Sequence, residues 1–310
     1  MGDLVRRIGV IGLSEGNGHP FSFSSIINGY SDEGFEGSGW EVIHDYVRRR
    51  DKSEFGIDGL KVTHAWTQEK AQTEKLCRAC LIPHAVVKYE DMVGCVDAVI
   101  IARDDYENHL EMAMPFLEAG LFVFVDKPLS LDAKELGKFS PYLYSGKLMS
   151  CSGLYYAKEL DEVRAGLQNY GRLKLIRGAV VSMWEKYGVH MLYAIFSFIR
   201  SRPLSVISLE ALHFSAAIGM EDGCLVQIDA LEDSPKTFSI DIWGEKSRSS
   251  HEIVDNFSMF RRMLWHFSQS IKNGKSAMNP ETTLNIMRIL IAGRVAKKEK
   301  RKVLLHEIEL

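Results

Sequence analysis

The sequence predicts an α/β protein in two domains: a doubly wound parallel sheet over residues 1–148 and an α+β domain with a mostly antiparallel open sheet over 149–310. Three observations predict it. The apolar runs Ile8–Ile11, Ala98–Ala102 and Leu121–Val125 are continuous rather than alternating, as strands covered on both faces require. Helical patterns lie between them, which is the alternation of a doubly wound fold. Beyond Met149 the chain changes to short strand-like runs separated by turns.

Bulk composition sets the outer limits. A chain of 310 residues with 46% hydrophobic content can bury one large or two ordinary cores, and two domains is the better prior. With 38 basic and 41 acidic residues the balance is -3, so no positive field points to nucleic acid or an anionic membrane, and small-molecule partners are expected. No window approaches the length of a membrane span and the start has no signal-peptide core, so a cytoplasmic location is expected. Gly2 raises myristoylation, but Arg6 stands where that motif needs Ser or Thr. The five cysteines are scattered. Cys77 and Cys80 form a CxxC inside a helical pattern with no second pair to complete a zinc site, so they read as structural thiols.

The elements follow in order. IGVIG reads as a first strand, and the segment from Gly12 to Gly18 as a glycine-rich turn before a helix that Pro20 suits in its first turn. Such a turn lets backbone N–H groups and a helix dipole hold a pyrophosphate. The spacing departs from GxGxxG: Gly12, Gly16 and Gly18 are present, with Ser14 where a second glycine would fall. Either the loop is extended, or the motif is shifted to Gly16-Asn17-Gly18. Residues 29–58 read as an insertion, a glycine-rich acidic loop and then WEVIHDYVRRR with Trp40, Ile43, Tyr46 and Val47 on one helical face. It is a surface excursion or a lid. A second strand is expected near Lys61. Where an acidic residue would read the adenosine ribose the chain has Ala65 and Trp66, so NAD and NADP both stay open, and Trp66 is a candidate for stacking on adenine or for packing.

TQEKAQTEKLCRAC and NHLEMAMPFLEAG are helical, the second closing at Gly120. After the strand Leu121–Val125 come Asp126, Lys127 and Pro128, charged residues at a strand's carboxyl end, where open α/β sheets bind ligands. In the second half KLIRGAVVSMW, LSVISLEALHFSAAI, CLVQIDAL and TFSIDIWG are strand-like. Two helical patterns and a short run at Val303–Leu305 close the chain. The basic cluster Lys297–Lys302 suits a solvated helix end.

Taken in order, IGVIG, VDAVIIARDDYENHLEMAMPFLEAGLFVFVDKPLS, YGVHMLYAIFSF and FSQSIKNGKSAMNPETTLNIMRILIAG make this sequence resemble the Gfo/Idh/MocA oxidoreductases through most of its length. The resemblance implies a dinucleotide-binding Rossmann domain joined to a sheet domain for substrate binding and oligomerisation, with NAD or NADP as cofactor. It implies hydride transfer on a sugar, cyclitol or sugar nucleotide, and a homodimer or homotetramer.

Asp126-Lys127-Pro128 looks like the family's EKP element with Asp for Glu, which makes Lys127 a catalytic and substrate-contacting candidate. Gly188 and His190 match its GxH element, which makes His190 the candidate proton carrier. Imidazole suits proton exchange with a carbinol hydroxyl at neutral pH, and a partly desolvated lysine can polarise the same oxygen. Arg103 and His109 join Gly12, Ser14, Gly16, Gly18, Trp66 and Lys127 in the expected cofactor set, with helix capping or packing the alternative for His109. Tyr155 and Tyr187 are expected substrate contacts, or packing residues.

The pattern breaks where relatives carry aspartates four residues before the histidine and three after it. Here stand Lys186 and Tyr193, and Lys186 suggests a carboxylate or phosphate on the substrate. Two other classes remain open at this level: a redox-assisted lyase or hydrolase that retains its NAD, and a non-catalytic dinucleotide sensor.

Overall fold

The computed structural model describes residues 5–57 and 59–310; Gly2, and with it the myristoylation motif, lies outside them. The chain forms two compact units and passes between them more than once. One comprises Met1–Leu129, Phe139–Ser150 and Phe260–Asn279, the other Ser130–Lys138, Cys151–Met259 and Pro280–Leu310.

The first unit holds a six-stranded sheet of β1 (Arg6–Ile11), β2 (Leu60–Trp66), β3 (His84–Ala85), β4 (Ala98–Ile101), β5 (Phe122–Val125) and β6 (Leu148–Ser150). Every pairing is parallel and the order is β3-β2-β1-β4-β5-β6. The connections from β1 run toward one edge and those from β4 onward toward the other. The reversal opens a crevice at the carboxyl ends of β1 and β4. All four residues of β4 are buried, as the continuous apolar run predicts.

The helices in chain order are α1 (His19–Asn28), α2 (Asp32–Phe35), α3 (Glu41–Val47), α4 (Lys70–Ala79), α5 (His109–Glu118), α6 (Ala133–Ser145), α7 (Asp161–Gly166), α8 (Val189–Phe196), α9 (Asn256–Asn273) and α10 (Pro280–Glu299). α5 ends as expected, with Gly120 in the left-handed region at φ +77°.

Residues 29–57 fold as α2 and α3 with their connections and are seated firmly within the first unit. At Gly34 a Cβ would lie 2.5 Å from the Arg78 carbonyl oxygen, so only glycine lets α2 approach the end of α4. The Ser31 N–H donates to the Ala79 carbonyl at 2.9 Å, and the Tyr46 hydroxyl donates to Ser22 Oγ of α1 at 2.5 Å. Ile43 and Val47 are buried between. The helical face read from the sequence is therefore the docking face.

The second unit holds seven strands: β7 (Leu173–Val180), β8 (Pro203–Leu209), β9 (Phe214–Met220), β10 (Leu225–Ala230), β11 (Phe238–Gly244), β12 (Arg248–Glu252) and β13 (Val303–Leu304), in the order β12-β11-β7-β10-β9-β8-β13. Only β7 with β10 is parallel. The long run LSVISLEALHFSAAI is a hairpin, β8 and β9, turning through residues 210–213. Gly178 in β7 faces Met191, which would lie 3.3 Å from a Cβ there, so the bare backbone brings α8 close to the sheet.

Cys77 lies within α4 and Cys80 caps its end, with Cys80 Sγ 3.3 Å from Ser25 Oγ. Burial pushes the Cys80 thiol up to about 12 and the Cys77 thiol to about 11, so both stay protonated at neutral pH. Among the described residues no group of His, Cys, Asp or Glu is placed to hold a metal. Native protein treated with Ellman's reagent should show one fast thiol, the exposed Cys95, a slower one from the half-buried Cys77, and the buried Cys80, Cys151 and Cys224 only on denaturation. Release of three or more thiols without denaturant would contradict the burial of Cys80.

Candidate functional site

The turn after β1 is shaped by close approach. A Cβ on Gly12 would stand 2.1 Å from Pro20 Cγ, and Gly16 adopts φ +72°, so neither position accepts an ordinary side chain without strain. Ser14 and Gly18 complete the expected set, Gly18 as the N-cap of α1. No acidic residue occupies the first turn of that helix, whose positive end suits an anion. Gln68 clamps the turn from the side: its Oε1 accepts from Leu13 N–H at 3.0 Å and its Nε2 donates to Leu13 O at 2.6 Å.

Two buried carboxylates organise the strand ends. Asp126, after β5, accepts at Oδ2 from His19 Nδ1 and from Asn17 Nδ2 at 3.3 Å, and at Oδ1 from the Lys127 N–H at 2.9 Å. Burial alone pushes its carboxyl up, but the charges of His19 and Lys127 and the bonds from both outweigh it and hold the group well below the usual carboxylate range. Asp104, after β4, accepts from Ser14 Oγ at 2.7 Å and returns its own N–H to that oxygen at 3.1 Å. The buried Lys127 Nζ lies 3.9 Å from Asp104 Oδ2. Lys127 is thus joined to the glycine turn along two routes, through Asp126 and through Asp104 with Ser14. The Lys127–Pro128 peptide is cis.

The other expected cofactor residues are placed differently. Arg103 is buried and forks onto Asp105, with Nε 2.8 Å from Oδ1 and Nη2 bonded to Oδ2, while Nη1 is shielded from water without a protein partner. His109 is fully buried in α5, with Nδ1 3.0 Å from the Leu129 carbonyl and Nε2 3.0 Å from the Arg103 carbonyl. Burial lowers its proton affinity. With both nitrogens against backbone oxygens, it ties the loop after β4 to the loop after β5, and the packing alternative describes its place. Trp66 donates from Nε1 to Val87 O at 3.1 Å and meets Tyr89 edge-on at 5.2 Å.

Beside the turn lies a cleft of about 390 Å³, bounded by Ser14, Glu15, Trp40, Thr67, Glu69 and Gln72. Trp66 is not among its lining residues, and neither is any lysine or arginine. A glycine turn without room for side chains, an open helix end and a polar cleft with an aromatic wall fit a dinucleotide. Sequence reasoning missed Trp40 because its helical spacing marks it as part of a packing face. It missed His19 because nothing local links residue 19 to residue 126.

In the second unit, Ser152 Oγ lies 2.6 Å from Nδ1 of the buried His190 and accepts from Leu154 N–H at 3.2 Å. The imidazole meets Tyr187 edge-on at 5.6 Å and Phe238 at 5.8 Å. A π-helix, Trp184–Gly188, carries Lys186 and Tyr187 and runs directly into α8. Both are partly exposed. Tyr155 is partly exposed as well and meets Tyr156 edge-on at 5.1 Å. Tyr193 is fully buried, its hydroxyl 3.5 Å from Thr283 Oγ1, so the phenol replacing a carboxylate belongs to the core. Ser152 was legible only as the residue after a strand.

Comparison with known proteins bears on the fold. Residues 34–142 match the Gfo/Idh/MocA family model, described as an oxidoreductase family with an NAD-binding Rossmann fold. Scyllo-inositol dehydrogenase from Lactobacillus casei superposes with a TM-score of 0.77 at 16% identity, covering 99% of this chain and 100% of that one. The same enzyme with bound NAD(H) and scyllo-inositol gives 0.75 at 16%, covering 97% and 99%. Myo-inositol 2-dehydrogenase from Lactobacillus plantarum gives 0.77 at 16%, covering 97% and 99%. No curated protein matches the chain by sequence.

Asp126→Asn leaves His19 facing an amide and should cost about 3–5 kcal/mol at neutral pH, the usual cost of breaking a buried pair. The folded-state value lies below the ordinary 3.8, so the carboxylate stabilises the fold above that pH, and the gain disappears as pH falls beneath it. Urea midpoints of wild type and variant should therefore converge in acid. A gap independent of pH would contradict the pairing.

Proposed function

We propose that this chain is an oxidoreductase of the Gfo/Idh/MocA type, a dehydrogenase or reductase acting on a secondary hydroxyl, or the matching ketone, of a polyol or sugar-like substrate, cyclitols included. The observation that carries the reading is the buried Lys127, whose amine is paired with Asp104 and through it with Ser14 of the glycine turn, while its backbone N–H donates to Asp126. Its support is the oxidoreductase family matched over residues 34–142 and the inositol dehydrogenases that share the fold.

When bound, the nicotinamide supplies the two-electron exchange with the carbinol carbon. Gly12, Ser14, Gly16 and Gly18 hold the diphosphate at the start of α1. Glu69, just past β2, accepts from a ribose hydroxyl, and its carboxylate, with Glu15 lining the same cleft, repels a 2′-phosphate, so NAD is the preferred cofactor. Lys127 donates a hydrogen bond to the reacting oxygen and draws charge from it. His190 exchanges the hydroxyl proton at Nε2. Ser152 steadies Nδ1, and a hydroxyl that can either donate or accept serves both protonation states of the ring. Lys186 meets a carboxylate or phosphate on the substrate, and Tyr155 and Tyr187 contact its hydroxyls.

The sheet of the second unit is covered by α8 on the face of Gly178. On the opposite face lie Ile207 and Leu225, both exposed. A homodimer or homotetramer covers these two side chains together with the polar residues Arg177 and Gln227 of the same face.

The chain incubated with NAD and a panel of inositols, neutral sugars and acidic sugars should form NADH with at least one of them, and NADP should bind more weakly than NAD. Lys127→Met and His190→Asn should each lower kcat by about 10²–10⁴ while NAD still binds. Undiminished turnover in either variant removes that residue from the chemistry. Preference for NADP removes the role given to Glu69.

A further inference from the structure

We propose that the segment inserted between α1 and β2 is part of the cofactor site: Trp40 is the platform on which adenine lies, and Gln72 reads the amino group of the base. The proposal rests on the dinucleotide reading above and adds a base specificity to it.

The indole is fixed before any ligand arrives. A Cβ at Gly18 would lie 2.4 Å from Trp40 Cε3, so the glycine that caps α1 is also what allows the ring to lie against the phosphate turn. Ser38 Oγ accepts from the Trp40 N–H at 3.1 Å, Gly39 turns the chain at φ +85°, and the Phe21 ring backs the indole at 6.0 Å. The ring is partly exposed and borders a cleft whose other residues are mostly polar. Such a pre-set aromatic surface suits a flat heteroaromatic base, since base–aromatic stacking needs a π-face and little else. Trp66, the indole nearest the end of β2, is committed elsewhere through its bond to Val87 and its edge contact with Tyr89.

Gln72 indicates which base. It borders the same cleft, and its Oε1 is shielded from water with no hydrogen-bond partner, so the side chain gains a bond by turning this oxygen into the cleft when a base is there. A dehydrated amide oxygen without a donor is costly, and an N–H from a ligand removes the cost. Adenine presents an exocyclic amino donor at its edge, where hypoxanthine presents a carbonyl and keeps its only nearby donor on ring N1, so an oxygen placed opposite the amino group favours adenine. Trp40 therefore supplies affinity for any purine, and Gln72 selects adenine.

The test uses the full chain and titration calorimetry with NAD, ADP-ribose, nicotinamide mononucleotide and nicotinamide hypoxanthine dinucleotide. Trp40→Ala should raise Kd for NAD and ADP-ribose about tenfold and leave the mononucleotide unchanged. Trp40→Phe, which keeps a ring, should retain most of the affinity but lose the quenching of tryptophan fluorescence by ADP-ribose. Wild type should favour NAD over the hypoxanthine analogue, and Gln72→Leu should erase that preference. Wild-type affinity in Trp40→Ala, or quenching that persists in Trp40→Phe, overturns the platform. Equal binding of the two bases by wild type, or a preference that survives Gln72→Leu, overturns the reading of the amino group. A wild-type chain that binds no pyridine dinucleotide overturns the parent reading instead, an outcome separate from all of these.

Discussion

The first unit depends on keeping two carboxylates out of water at the carboxyl ends of adjacent strands. An ionised carboxyl so placed is tolerable only when it is paired and fully hydrogen-bonded. Asp126 meets that condition with His19, Asn17 and a backbone N–H, and Asp104 meets it with Ser14 and Lys127. Each partner comes from the turn after β1 or from the strand ends themselves. The requirement to neutralise these charges therefore dictates where the glycine turn, the start of α1 and the lysine must sit. The geometry a dinucleotide enzyme needs is in this sense a by-product of electrostatic necessity.

The same economy appears at the margins of the site. His109 spends both ring nitrogens on backbone oxygens and links the loops after β4 and β5. Gln68 spends its whole amide on Leu13. The segment 29–58 is anchored through Gly34, Ser31 and Tyr46, which is what allows Trp40 to hold one position. Side chains held in this way are rigid, and rigid surroundings reduce the reorganisation that binding must overcome.

How much of this the sequence discloses depends on the range of the interaction. Continuous apolar runs announce β1, β4 and β5, because burial on both faces leaves a mark on every residue of a strand. Lys127 and His190 are visible through short motifs. Ser152 beside His190 and Asp126 beside His19 are not, since partners 38 and 107 residues apart leave no common spacing. The polar strand β12 is missed because a sheet-edge strand with little burial carries no hydrophobic period. The hairpin of β8 and β9 looks like one strand because its turn lacks a strong Gly or Pro signal. Trp66 and Trp40 show the limit most clearly: local reading favours the indole at the strand end, and tertiary placement puts the other one in the cleft.

The short stretch of wide winding at Trp184–Gly188, directly ahead of α8, sets the direction in which the following side chains point. A turn with i→i+5 bonds holds one residue more than a regular helical turn. Each residue swings the following side chains by about 100° around the axis. Removing one amino acid here would rewind the segment and turn the imidazole of residue 190 away from Ser152. The orientation of that ring therefore depends on the surplus residue of the wide turn, and a chain shortened by one residue there would lose the serine partnership.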